Sequence, residues 1–524
     1  MAGSVLVLIL AAAPASAGGT AACPEASTIR RFEIVRHDIF DEQDEALSWP
    51  FRLVNRLHPL TREEVIRREL LLGPGQCADD EALAQTERNL RRLGFLRDAR
   101  VETRPAAGGR KDVVDVRVST FDTWSTVPLF RLAKVGNRRV WTLGLSERNL
   151  FGRGQHLGIA RKSDLDRDQT IFAFRDPRLL GSRVQALASY ADRSDGSRTE
   201  LEIGRPFFAL TTTWSFRAHL DTFRQIDPVY ESGERVGNLP HTGRWLELEG
   251  ARTVARTTAG AVRVNLAYRR RREDVAGDLR RFGIVEANVS LVEHRFLRLT
   301  HVNRFEAAED FNLGHQLSAT AGVSARALGG ESGGVFFLSA GERKGFALGG
   351  GGFVLGELGW AGRHRHGRWE NAVGDAQIDG FGRLTTRAVV LTRVQYRQGK
   401  NLDPEVQLTV GAQNGLRGYP VHQWAGTRSL LLAAESRLFV ADDVKQLVSL
   451  AVAGFAEAGY AWPAGRRLAL GDLRTDFGMG LLVGRNRLTT SRRAMRIDLA
   501  YAVNPPPGRG RWLVSMGLQA GFLN

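Results

Sequence analysis

From about residue 128 to the end of the 524-residue chain, apolar and polar side chains alternate in short segments separated by Gly, Asn and Asp turns. Trp214, Phe216, Ala218 and Leu220 alternate with Ser215, Arg217, His219 and Asp221; Val262, Val264, Leu266 and Tyr268 alternate with Arg263, Asn265 and Arg269. Successive strand side chains point to opposite faces, so this period gives each segment one apolar and one charged face. A soluble sandwich can show the same alternation, and the start of the chain separates the two cases. Val5 to Ala13 is an apolar run followed by the small-x-small site Ala15-Ser16-Ala17, an export signal over residues 1–17 with residue 22 as the alternative end, although a basic start is missing. Beyond it no run of eighteen apolar residues exists, so an ordinary transmembrane helix is excluded and a membrane location requires a closed barrel. The expected fold of residues 128–524 is therefore a transmembrane antiparallel β-barrel of about sixteen strands, apolar towards lipid and charged towards the lumen, with about 25 residues per strand and connection. Gln225 to Thr242 reads as a long outer loop.

The closing strand is the clearest segment. Trp512, Val514, Met516, Leu518, Ala520 and Phe522 face one way, and Ser515, Gly517, Gln519 and Gly521 the other. Gly517 and Gly521 thin its packing, which is compatible with a loose seam against the start of the barrel, near Arg139 to Leu145. The formal charge of +16 comes mostly from arginine. That balance suits nucleic acid or an anionic membrane surface. The arginines alternate with apolar residues and acids instead of forming one stripe, and no nucleic-acid-binding signature is present, which argues against nucleic acid. Arg269 to Arg272 reads as a strand end at the membrane surface, where lipid head groups or solvent would meet it.

Residues 28–126 follow a different rule. Ile29 to Val35 alternates as a strand; Thr61 reads as a helix cap ahead of Glu63 and Glu64, with Val65, Ile66 and Leu70 on the buried stripe. A second helix starts near Asp79-Asp80, carries Leu83, Leu90 and Leu93 at helical spacing, and stops at Gly94. Val101 to Arg104 and Val113 to Val118 complete a small β-α-α-β-β domain. Cys23 and Cys77 are the only cysteines. In an exported chain they are either a disulfide, worth at most about 4 kcal/mol, or two buried thiols, and Cys23 is also a weak lipidation candidate. The run Thr61 to Leu70, the leucine-spaced helix and Leu93-Gly94-Phe95-Leu96 together resemble a polypeptide-transport-associated (POTRA) domain. The resemblance implies a periplasmic module that receives extended chains or accessory proteins at its sheet edge.

The stretch Asn414-Gly415-Leu416-Arg417-Gly418-Tyr419-Pro420 fits neither strand nor helix, and five alternating segments follow it. Leu416, Arg417, Gly418 and Tyr419, followed by five closing strands, resemble the lumenal loop of the outer-membrane assembly-factor superfamily that includes BamA and TamA. The resemblance implies that Arg417 contacts acids on the next two strands, which here are Glu435 and Glu457. Period two independently puts both acids on inward faces, where a guanidinium can make charge-assisted hydrogen bonds.

No catalytic elbow, zinc motif or phosphate loop is present, so no enzyme activity, metal or cofactor is expected. His364 and His366 read as an exposed polar turn. The resemblance implies an outer-membrane protein that inserts or exports polypeptides by strand exchange at the module edge and the barrel seam. Its expected partners are unfolded outer-membrane or secreted polypeptides, outer-membrane lipid or lipopolysaccharide, and periplasmic accessory proteins. A two-partner-secretion-type transporter of one dedicated passenger and a passive pore or structural barrel are the alternatives.

Overall fold

The computed structural model describes residues 27–40, 49–106, 112–135, 138–305, 308–444, 448–484 and 494–518. The expected signal segment, Cys23, Gly521 and Phe522 lie outside these residues.

The N-terminal module contains β1 (Thr28–His37), α1 (Trp49–Leu57), α2 (Glu63–Arg67), α3 (Asp80–Arg92), β2 (Leu96–Pro105) and β3 (Val113–Asp122). Its three-stranded sheet runs β1-β3-β2, with β1 parallel and β2 antiparallel to the central β3. One face of the sheet and the apolar stripes of α2 and α3 bury Ile29, Phe32, Val65, Ile66, Leu83, Leu90, Val116 and Val118 in one core. Asp79 caps α3 by accepting from the Ala82 amide at 2.6 Å, as an N-cap aspartate should. Thr61, by contrast, is not the cap of α2. Its amide and hydroxyl both donate to Asp122 at 2.8 Å, which makes it a buried tie between α2 and the end of β3. Cys77 is disulfide-bonded and forms a bridge pair with Thr28 at the start of β1.

The rest of the chain is a closed antiparallel barrel of twenty strands, not about sixteen. The difference comes from the connections at the end away from the module, several of which are tight turns. Ser232-Gly233 joins Trp214–Glu231 to Glu234–Arg256, so the stretch Gln225 to Thr242 is strand and turn rather than loop. Ser232 and Gly233 take φ of 51° and 80°, and Ala276-Gly277 takes 52° and 94°, the left-handed pair that matches the twist of a two-residue hairpin. Chain saved in the turns forms additional strands. Arg269 to Arg272 likewise lies inside the strand Gly260–Val275 rather than at its end. Arg269 and Arg271 point inward to Glu286 and Glu247, while Arg270 and Arg272 are exposed on the outer face.

The first barrel strand is Thr126–Val135 and the last is Trp512–Leu518, meeting at the single ladder pair Lys134↔Met516 among the described residues. Arg139 to Leu145 therefore belongs to the second strand, one position away from the seam; the first strand ends at Val135, too close to Arg138 for the alternation to separate the two. Trp512 and Val514 are exposed on the outer face, and Gly517 and Leu518 end the described part of the strand.

The lumen is filled from both ends. From the side of the module, the connection between Asp278–Glu293 and Gln316–Ser324 forms a small hairpin, Phe296–Leu299 paired with Glu309–Asn312. The segment around it carries Val302, Phe305, Phe311 and Leu313 into a core with inward-facing Phe353, Phe381, Leu391, Phe439 and Leu482 of the barrel wall. A stretch of apolar lumenal wall, unusual for a water-filled barrel, is thereby covered. From the opposite side comes the loop between Ala388–Lys400 and Arg428–Val444.

The module docks on the barrel through its helices. The Arg62 amide donates to Gly152 O at 2.9 Å and the Arg62 side chain to Phe151 O at 3.0 Å, while Arg178 pairs with Glu69. On α3, Arg91 makes a bidentate pair with Asp310 at 2.8–3.1 Å, and Glu87 pairs with Arg298 at 3.1 Å. Module, lumenal hairpin and barrel wall are in continuous contact.

Candidate functional site: the lumenal arginine loop

The loop folds back into the barrel on a two-stranded ribbon, Leu408–Val410 paired with Trp424–Gly426. At its tip Leu416 and Tyr419 are fully buried and pack with Val410, Leu431, Ala461 and Ala502. The Tyr419 ring meets Trp424 edge-on at 4.9 Å, and its hydroxyl donates to Thr475 O at 2.8 Å. These two anchors fix the tip so that the guanidinium between them faces the wall.

Arg417 is held by both acids. Nε donates to Glu457 Oε1 at 2.7 Å, Nη2 to Glu435 Oε2 at 3.0 Å, and the backbone amide to Glu457 Oε2 at 2.9 Å. The cation also lies 3.7 Å from the centre of the Phe455 ring, an arrangement that adds ring-quadrupole attraction to the ion pairs. Glu435 and Glu457 are 1% and 5% exposed. Their place follows from pleat and register: both sit at inward positions of adjacent strands, with Ala433 opposite Glu457 and Phe455 opposite Glu435.

Gly418 explains why the motif has no side chain after the arginine. Its amide donates to Asp476 Oδ2 at 2.8 Å, and a Cβ built there would sit 2.8 Å from the Asp476 Cβ. Gly415, at φ 109°, makes the turn into the tip.

Four further residues belong to the cluster. Arg437 donates to Glu435 at 2.6 Å; Arg496 donates to Glu435 at 2.8 Å and to Asp498 at 2.6 Å; Asp498 lies 3.7 Å from Arg417. With Asp476 these make three guanidiniums facing four carboxylates across four consecutive strands. The signal that could have found them is parity: Asp476, Arg496 and Asp498 are polar residues at positions that the strand period turns inward, as Glu435 and Glu457 are. Arg437 also donates from Nη1 to Val302 O at 2.6 Å, so the cluster touches the lumenal hairpin that docks on the module.

Towards the outside, the loop is tied to the wall by Arg280 to Glu405 at 2.6 Å and Arg363 to Asp403 at 2.7 Å. Tyr230 stacks on His422 with ring centres 4.0 Å apart. A cavity of about 440 Å³ remains between this segment and the wall carrying Arg269, Arg271 and Glu286. His364 lies against Trp369, and His366 occupies a turn at φ 49°. Among the described residues no group of side chains has the make-up of a metal site, and no helix is long and apolar enough to cross a membrane.

Comparison with known proteins gives likeness in fold only. No protein-family model and no curated protein matches the chain. Among solved structures, a BamA from Haemophilus ducreyi lacking POTRA domains 1-3 aligns at 12% identity with a TM-score of 0.42, covering 94% of this chain and 84% of that one. CdiB from Acinetobacter baumannii aligns at 11% identity and TM-score 0.45, covering 94% and 74%. CdiB from Escherichia coli aligns at 10% identity and TM-score 0.47, covering 94% and 76%.

Proposed function

We propose that this protein is an outer-membrane barrel of the assembly-factor superfamily, with one periplasmic POTRA-like module, that inserts or exports other polypeptides. The observation that carries the reading is the buried contact of Arg417 with Glu435 and Glu457, at a loop followed by five strands to the closing one. A barrel that only needed to be closed could fill its lumen with apolar side chains. Burying an arginine among acids is expensive unless the geometry is met in full, and it holds one loop conformation against the wall nearest the seam.

A client strand is received at an edge of the module sheet and passes to the seam between Thr126–Val135 and Trp512–Leu518. Exchanging one ladder for another keeps backbone groups paired throughout, which is the condition for opening a sheet in lipid. The chemistry needs no cofactor and no nucleotide. Accessory proteins would bind the same module.

The experiment is depletion of the protein in its own host with quantitative proteomics of the outer membrane, beside complementation by Arg417→Ala. Loss of many barrel proteins, unrescued by the variant, supports assembly. Loss of one secreted protein with other barrels intact favours the second reading, a dedicated exporter. That reading has its own observation: the lumen is blocked by a hairpin whose anchor, Asp310, is gripped by the module, as a displaceable plug would be. Unchanged proteomes with measurable ion conductance would leave a passive barrel.

A further inference from the structure

The outer surface of the barrel carries five arginines clustered near one end of neighbouring strands. Arg224, Arg244, Arg270, Arg272 and Arg281 are all exposed and occupy outward positions on four consecutive strands. Arg244 is directly opposite Arg272, and Arg272 directly opposite Arg281, so three like charges face one another across the sheet. Such pairs are destabilising by themselves. Among the described residues no carboxylate pairs with any of these guanidiniums. The nearest acids in register are otherwise engaged: Asp274 accepts from the Gly277 amide, and Glu331 accepts from the Arg281 amide and pairs with Arg365.

Below this row the same outward positions are mostly apolar, with Phe216 and Leu220, Leu248, Val262, Val264 and Leu266, Val285 and Val289; the exception is Arg252, exposed opposite Val264 at the far end of the band. From Val262 to Arg270 the strand rises about 27 Å, or about 20 Å of height at a tilt of about 40°, close to the apolar band of a membrane barrel. The arginines therefore emerge where hydrocarbon ends, and on the side away from the module. Beside them the segment after Ser324 folds over the wall. Tyr268 donates to Leu328 O at 3.0 Å, and a Cβ on Gly283 would lie 1.8 Å from that oxygen, which gives the patch a ledge on one flank.

We propose that this row is a binding site for the phosphorylated head group of a glycolipid in the outer leaflet. A multivalent phosphate relieves the repulsion of the facing guanidiniums and is recognised by their planar donors, while the acyl chains cover the apolar positions below. The site rests on the reading that the module faces the periplasm.

The test uses the full protein in nanodiscs and measures retention of bisphosphorylated lipid A by native mass spectrometry. The variant replaces Arg244, Arg270, Arg272 and Arg281 by Gln; a control replaces Arg235, Arg368, Arg466 and Arg511, exposed arginines outside the row. The expected result is at least a tenfold loss of retained lipid in the first variant, little change in the control, and no difference between proteins with dephosphorylated lipid A. Equal retention by wild type and row variant overturns the proposal. Orientation is read separately on intact cells, by labelling Ser232→Cys at the turn beyond Arg224 with a membrane-impermeant maleimide. Labelling without lipid discrimination rejects the site and leaves the functional reading standing; no labelling until the outer membrane is broken rejects both.

Discussion

At the residue scale, the clamp on Arg417 is asymmetric in what its loss would cost. Removing the guanidinium leaves Glu435 and Glu457 buried beside fewer cations, and an uncompensated buried charge costs about 3–5 kcal/mol. Arg417→Ala is expected to lower the unfolding temperature of the detergent-solubilised barrel, read by heat-modifiable gel mobility. Arg417→Lys is expected to fall between the two proteins, because an ammonium cannot span both carboxylates as the guanidinium fork does. Gly418→Ala carries no charge change, yet its Cβ would meet Asp476 at 2.8 Å. It should displace the tip and reproduce much of the Arg417→Ala defect; wild-type mobility for Gly418→Ala would mean the loop can shift without cost. This part of the site was legible from sequence because it combined a motif with strand parity. Asp498 and Arg496 share the inward parity but were not singled out, since they lie three strands further on and only the curvature of the wall and the reach of the Arg496 side chain bring them to Glu435.

At the element scale, the hairpin Phe296–Asn312 is where sequence reading stopped. Its residues have no clear period, and their apolar side chains find partners only on inward positions of strands up to about 180 residues away, as Phe305 does with Phe439 and Leu482. Local pattern cannot encode such a contact. Replacing residues 296–311 by a short turn is expected to raise single-channel conductance in planar bilayers; unchanged conductance would show that the outer loop alone seals the lumen. The hairpin meets α3 near His294, whose pKa is pushed down to about 4 by burial and by Arg88, Arg263 and Arg92. A depressed histidine favours the neutral form, so docking is full above about 6.5 and weakens as pH falls from there towards 4. Hydrogen exchange of α3 should rise over that interval, and His294→Gln should flatten the dependence. Glu81, whose carboxylate lies 3.8 Å from the ring, partly opposes this effect.

For the whole molecule, the alternating pattern together with the export signal pointed to a barrel beside a separate α/β module, and the described parts of the five strands after the loop follow their alternation. Strand number was not accessible, because a two-residue turn such as Ser232-Gly233 is too short to interrupt a run of alternating residues. The seam supplies the test at this scale. Lys134 and Met516 are a facing pair, close enough for a disulfide. Lys134→Cys with Met516→Cys, oxidised, is expected to stop client assembly while leaving the barrel folded, with activity restored by reduction. Full activity of the locked protein would mean that clients do not pass through this junction.

Every acid that meets the arginine loop lies downstream of it: Glu435, Glu457, Asp476 and Asp498 are on the four strands after the loop. A chain emerging from its N-terminus therefore makes the guanidinium before any of its counterions exist. The base of the loop can be held by upstream residues, through Arg280, Arg363 and Tyr230, but its tip meets its counterions only when the later strands are in place. A chain truncated before Asp498 is therefore expected to lack part of the counterion set around Arg417, and limited proteolysis of such a truncation should cut the loop tip faster than in the full chain.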